Sequence, residues 1–162
     1  MAQVVRWAAM QRLMIACAAM LMLSSPAVCQ SSANQALKFD HATVYVRDLD
    51  KSASFYEKVL GFEKIPEPFK DGRHVWFRIG PHDQLHVVSG ATKPSDNEIN
   101  VHLAFRVASV PDFAARLDKA QVKYRKSIRG DGTVATPRPD GVNQIYFQDP
   151  DGYWIEVNDD KF

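Results

Sequence analysis

His41-Ala42-Thr43-Val44-Tyr45-Val46 and His102-Leu103-Ala104-Phe105-Arg106-Val107 can be laid one over the other. Each opens on a histidine, alternates along its length and is rich in β-formers, so each predicts a strand. Seven residues past each histidine stands a helix-capping side chain, Asp48 (with Asp50 as competitor) or Ser109. A helical pattern follows in both places. The first has Leu49, Ala53, Tyr56 and Leu60 at helical spacing, with Gly61 as a stop. The second has Pro111 in its first turn, then Phe113, Ala114 and Leu117. The ends correspond too: Phe77 precedes His86 by nine residues and Phe147 precedes Glu156 by nine. Each pair brackets a turn, Gly80-Pro81-His82-Asp83 or Asp149-Pro150-Asp151-Gly152. His74–Ile79 and Gln144–Phe147 read as further strands. Each half is thus strand, helix and about three strands. The expected fold class is α+β, with module one over residues 39–90, module two over 101–158, and a polar linker at 91–100.

Strand parity converts this repeat into a candidate metal site. Side chains alternate across a strand, so His41, Thr43 and Tyr45 share one face, and His102, Ala104 and Arg106 share its counterpart. The apolar faces can pack on the helices, which leaves the histidines on the concave side. By the same register His86 and Glu156 occupy equivalent places in the last strands, and a pseudo-two-fold arrangement would bring His41, His86, His102 and Glu156 together. Three imidazoles and a carboxylate suit zinc, nickel, cobalt, iron or manganese better than calcium or magnesium. Tyr45 and Arg106 are expected to line the cup by parity, and Tyr146 by its place in a late strand. His74 and His82 have no repeat partner and read as surface or turn residues.

The chain of 162 residues is long enough for one domain with a real core. Its net charge of +1, without Lys/Arg runs, gives no footprint for nucleic acid or an acidic membrane. The N-terminus differs from the rest. Arg6 and Arg12 precede an apolar run from Leu13 to Leu23, then Ser24, Ser25, Pro26 and Ala27. That order predicts a secretory signal over residues 1–30 and export to the periplasm or medium. The run is too short to span a hydrocarbon core of ~30 Å, so no membrane span is expected after cleavage. Residues 31–38 read as a linker and 39–160 as the domain. Cys17 and Cys29 lie in or beside the signal, so no disulfide is expected in the mature domain; Cys29 is a candidate for lipid attachment, against which Val28 is a poor lead-in.

Two stretches resemble a known group. Asp48-Leu49, Ser52, Phe55-Tyr56 and Leu60-Gly61-Phe62 are similar to one signature of the vicinal-oxygen-chelate superfamily, and Phe147 through Glu156, with its Asp149-Pro150-Asp151-Gly152 turn, is similar to another. The resemblance implies paired βαβββ modules forming a cupped mixed sheet around one divalent metal, ligand positions at His41, His86, His102 and Glu156, and a homodimer, with the four ligands meeting either within one chain or across a swapped dimer. It implies a glyoxalase-like lyase or isomerase acting on a small oxygenated substrate bound through two oxygens, with Glu156 as both ligand and catalytic base. The alternatives are an Fe(II) ring-opening dioxygenase using two histidines and Glu156, and a non-catalytic binding protein of the bleomycin-resistance kind. The chain departs from glyoxalase I at His86, where that enzyme usually has Glu. Its bacterial form has glutathione-binding Arg and Asn where Tyr45 and Gly90 stand here. In the fosfomycin-resistance thiol transferases the position of His86 is not a ligand, whereas Thr43 resembles their pattern.

Overall fold

The computed structural model describes residues 36–136 and 138–161; the signal-like segment and both cysteines lie outside them. Module one runs β1 (His41–Val46), α1 (Leu49–Lys58), β2 (Glu63–Ile65), β3 (His74–Arg78) and β4 (Gln84–Ser89). Module two runs β5 (His102–Arg106), α2 (Val110–Lys119), β6 (Tyr124–Arg125), β7 (Gln144–Gln148) and β8 (Trp154–Asn158). The sheets are ordered β1-β4-β3-β2 and β5-β8-β7-β6, each with its first strand parallel to its last and the other pairings antiparallel. Both helices begin as their sequences direct. Asp48, not Asp50, caps α1 by accepting from the Lys51 N–H at 3.0 Å, and Ser109 caps α2 by accepting from Asp112 at 3.3 Å. Among the described residues no helix is long and apolar enough to cross a membrane.

The register reproduces the repeat. Thr43 lies opposite His86 in module one, and Ala104 lies opposite Glu156 in module two. Glu156 sits on an inner strand, since β8 runs between β5 and β7. Parity sends Val44, Val46, Leu85, Val87 and Phe77 of the first sheet, and Ile145, Phe147, Ile155 and Val157 of the second, into one core shared with both helices. Aromatic contacts cross between modules there, Phe55 to Phe147 at 6.3 Å and Phe62 to Phe105 at 5.1 Å between centroids.

The modules are tied at one edge of this core by a buried polar network. Asp151 accepts from the Arg47 backbone N–H (3.0 Å), Arg47 Nε (2.9 Å) and the Ser52 hydroxyl (2.8 Å). Asp149 accepts from the Tyr56 hydroxyl (2.7 Å) and from the N–H groups of Asp151 and Tyr153 (2.9 and 2.8 Å). The linker is pinned to the same turn, with Ser95 N–H donating to Asp151 O at 2.7 Å. Gly152 there has φ +89°, and a Cβ would fall 2.6 Å from Ser95 O, so neither the conformation nor the space admits a side chain.

The two carboxylates titrate in opposite senses. Burial raises Asp151, but the bonds from Arg47 and Ser52 outweigh it and hold the group below the ordinary carboxylate range. Burial prevails at Asp149 and raises it, only partly offset by Tyr56 and the two backbone donors. A lowered folded-state pKa contributes stability above the unfolded value and loses it on acidification; a raised one does the reverse. Asp151→Asn is therefore expected to cost about 1.5–3 kcal/mol at neutral pH, the range for hydrogen bonds to a charged group, since Arg47 is partly in solvent and can rehydrate. The gap in melting temperature from wild type should narrow as pH falls below about 4. A gap independent of pH would show that Asp151 does not hold the modules through its charge.

Candidate functional site

On the first sheet, the face turned away from the core carries a row of Thr43, His86, Trp76 and Ile65, flanked by His41 and Gln84 on one side and by Tyr45, Val88 and His74 on the other. The rings form a pile. His86 lies between Trp76, at 3.9 Å and 5° between planes, and His41, at 4.2 Å and 14°. Phe69, 59% exposed, covers His74 at 4.6 Å. His41 Nδ1 is 2.6 Å from Asp40 Oδ2, which fixes the ring and leaves Nε2 free for a ligand. His86 Nε2 is 2.9 Å from Gln84 Oε1. Burial, then repulsion from His41, lowers the His86 pKa and favours its neutral ring.

On the second sheet the equivalent row is Ala104, Glu156, Tyr146 and Arg125. Glu156 is 7% exposed. Its Oε1 accepts from Asn158 Nδ2 at 2.7 Å and lies 3.9 Å from Arg138 Nη1. Its Oε2 is 3.2 Å from His102 Nε2. Tyr146 lies edge-on to His102 at 5.5 Å, and burial together with its hydrogen bond to Glu156 raises its pKa, keeping it a neutral donor.

This half-site fits a cation. His102 Nδ1 is 2.6 Å from the Ile99 carbonyl oxygen, which can only accept, so Nδ1 carries the proton. His102 Nε2 then faces a carboxylate oxygen at 3.2 Å, and a proton or a metal ion can be shared between them. A backbone carbonyl behind the histidine and a carboxylate beside it form the usual setting of a metal-binding imidazole.

The expected ligands are brought together in pairs, His41 with His86 and His102 with Glu156. Among the described residues no three His, Cys, Asp or Glu side chains converge to hold a metal, so the four do not meet in one cup within one chain. The reason is packing: the core takes up the helix-covered face of both sheets, and the ligand-bearing faces point away from it. His86 also departs from the expected role. Imidazole lone pairs lie in the ring plane, and one ion cannot lie in the planes of two nearly parallel rings 4.2 Å apart. Tyr45 shares the face of His41 but stands four residues along β1, about 13 Å away at strand rise, with its hydroxyl over Gly90, where a Cβ would fall 2.4 Å from it. Arg106 lies on the His102 face beside Asn158. His74, expected in a turn or at the surface, sits on β3 on the same face as Trp76, its ring nitrogen 2.8 Å from Asp71.

A family model described as Glyoxalase/Bleomycin resistance protein/Dioxygenase superfamily matches residues 38–157. The chain belongs to that superfamily. It is 28% identical over 128 residues to a protein named Glyoxylase I 4 from Arabidopsis thaliana, spanning 73% of this chain and 68% of that one. It is 31% identical over 127 residues to YwbC of Bacillus subtilis, spanning 75% of this chain and 96% of that one. A solved glyoxalase family protein from Bacillus anthracis superposes with a TM-score of 0.62 at 26% identity, covering 79% of this chain and 98% of that one. At lower identity the fold is shared with a fosfomycin-resistance protein and an oxidase.

Within this superfamily fold, sequence reasoning missed Trp76, Asn158 and Arg138. Asn158 was findable, since it stands two residues past Glu156 on one strand face. Trp76 needed the β3–β4 register, and Arg138 needed the path of the 126–143 loop. In the metal-free protein, Trp76 emission should fall on acidification as His86 acquires charge, with a midpoint below the ordinary histidine value of about 6.5. His86→Phe should abolish that transition. An unchanged transition in the variant would assign it elsewhere.

Proposed function

We propose that the protein is a divalent-metal-dependent, glyoxalase-like lyase or isomerase acting on a small oxygenated substrate. The observation that supports this reading is the His102–Glu156 pair, an imidazole nitrogen and a carboxylate oxygen 3.2 Å apart with a backbone carbonyl behind the imidazole, an arrangement that fits a divalent ion. His102 and Glu156 would hold the ion with His41 as third ligand, and His86 supports His41 by stacking on it. One zinc, nickel, cobalt, iron or manganese ion bound there would polarise two neighbouring substrate oxygens and stabilise the enolate or oxyanion that develops. Glu156 is the carboxylate within reach of that substrate and is the proton acceptor in this reading. Tyr146 stays protonated and keeps the carboxylate oriented. Arg106 and the exposed face of Tyr45 bound the cup.

The two half-sites stand on faces turned away from a shared core, so a second copy of the chain supplies the missing half. A symmetric dimer would form two complete sites, each with His41 from one copy and His102 and Glu156 from the other. Tyr45 and Gly90 complement each other, the hydroxyl of one filling the space over the other. Glyoxalase I has its glutathione-binding side chains at these positions, so the substrate in this reading is a small molecule without a glutathionyl group. Export, read from residues 1–30, belongs to the same proposal. The donor set of two histidines and one carboxylate also serves Fe(II) oxygenases, and the identity of the metal separates that reading from the lyase or isomerase.

Elemental analysis should find about one transition metal per chain, lost in His41→Ala and in His102→Ala but retained in His86→Phe. Absence of bound metal, with none taken up on titration, would leave a binding protein in its place. Loss in His86→Phe would return that residue to the ligand set. Unfolding and refolding His41→Ala mixed with His102→Ala should recover about a quarter of the wild-type metal, because half of the random dimers carry one intact site. No recovery would mean that the ligands meet within one chain.

A further inference from the structure

We infer that Asn158 and Arg138 hold one oxygen of Glu156, Oε1, so that the carboxylate reaches a metal through Oε2 alone. The inference rests on the metal-site reading above. Asn158 and Glu156 are neighbours on one face of β8, both buried, which fixes their spacing through the strand itself. The amide orientation of Asn158 is set by its other end: its Oδ1 accepts from the Asp160 N–H at 3.3 Å, so the NH2 group is the end that faces Glu156. The resulting bond of 2.7 Å is a hydrogen bond to an ionised acceptor, stronger than a neutral one.

Arg138 adds the second hold. Its Nε and Nη2 grip Asp140 in a two-pronged pair (3.1 and 2.5 Å), and its Nη1 donates to Gln144 Oε1 at 3.3 Å. The guanidinium is thereby oriented with Nη1 toward Glu156 Oε1, at 3.9 Å. Oε1 thus faces two donors. Oε2 faces His102 Nε2 at 3.2 Å. Tyr146 lies opposite Glu156 in the β7–β8 register, on the same side of the sheet. A carboxylate held in this way offers one oxygen to an ion, and the coordination position that a second oxygen would fill is left to a substrate oxygen. Asn158 and Arg138 are positioning residues, acting through Glu156.

The test uses the full chain loaded with zinc. Infrared difference spectra on metal addition, with Glu156→Gln identifying the band, should show in wild type the wide separation of carboxylate stretches that marks ligation by one oxygen. Asn158→Ala should narrow that separation toward two-oxygen ligation and weaken zinc binding, measured by chelator competition, about tenfold to a hundredfold. Arg138→Gln should move both readouts the same way and less, because its contact is longer and its side chain partly solvated. Circular dichroism melts monitor folding; if Asn158→Ala does not fold, Arg138→Gln carries the infrared test. Unchanged spectra and affinities within about twofold in a wild type and variants that all bind zinc would overturn this inference alone. A wild type that binds no zinc would overturn both it and the metal-site reading.

Discussion

The hydrogen-bonded junction between Asp149, Asp151 and the residues Arg47, Ser52 and Tyr56 is the constraint on which the arrangement of the molecule depends. Both carboxylates are buried, and both draw donors from the other module. A buried charge without partners would be costly, so the packing of one module on the other is fixed where these groups satisfy each other. Aromatic contacts around Tyr56 and Phe147 supply the apolar area but would tolerate sliding; directional bonds to two carboxylates would not. The two signature stretches of the superfamily meet here, one on α1 and its cap and the other on the turn before β8. In this chain they build the joint between modules, and only Glu156, at the far end of the second stretch, belongs to the site.

That joint decides how the candidate ligands are placed. With the helix-covered faces committed to one core, the ligand faces of the two sheets are directed away from it and the histidines are sorted into pairs. The pairs differ in character. His41 and His86 form the outer part of a ring stack, braced by Asp40 and Trp76 and open to solvent on the side of His41. His102 and Glu156 are enclosed, with hydrogen-bond partners behind each of them. In the proposed dimer the enclosed pair would set the position of the ion and the stacked pair would close over it, which gives the two halves of a symmetric fold unequal parts in one site.

Glu156, expected as both ligand and base, stands among groups that restrain it. A carboxylate with Asn158, Tyr146 and Arg138 around it is restrained, and in the proposed reading its freedom lies in Oε2. Tyr45 is likewise better understood through Gly90 than through His41. The glycine leaves the space that the tyrosine hydroxyl occupies.

The amino-acid sequence by itself determined the repeat, the α+β modules, the helix caps and the strand faces that carry the candidate side chains, because strand parity, capping chemistry and turn residues act over a few positions of chain. It also marked His41 with His102, and His86 with Glu156, by their matching places. Only the tertiary structure decided that the four candidates fall into two pairs and that His86 stacks on His41. The same holds for Arg138, which reaches Glu156 from a loop 18 residues earlier in the chain (156 − 138). Those outcomes depend on which faces the shared core consumes and on the path of a long loop, and neither is written in local periodicity.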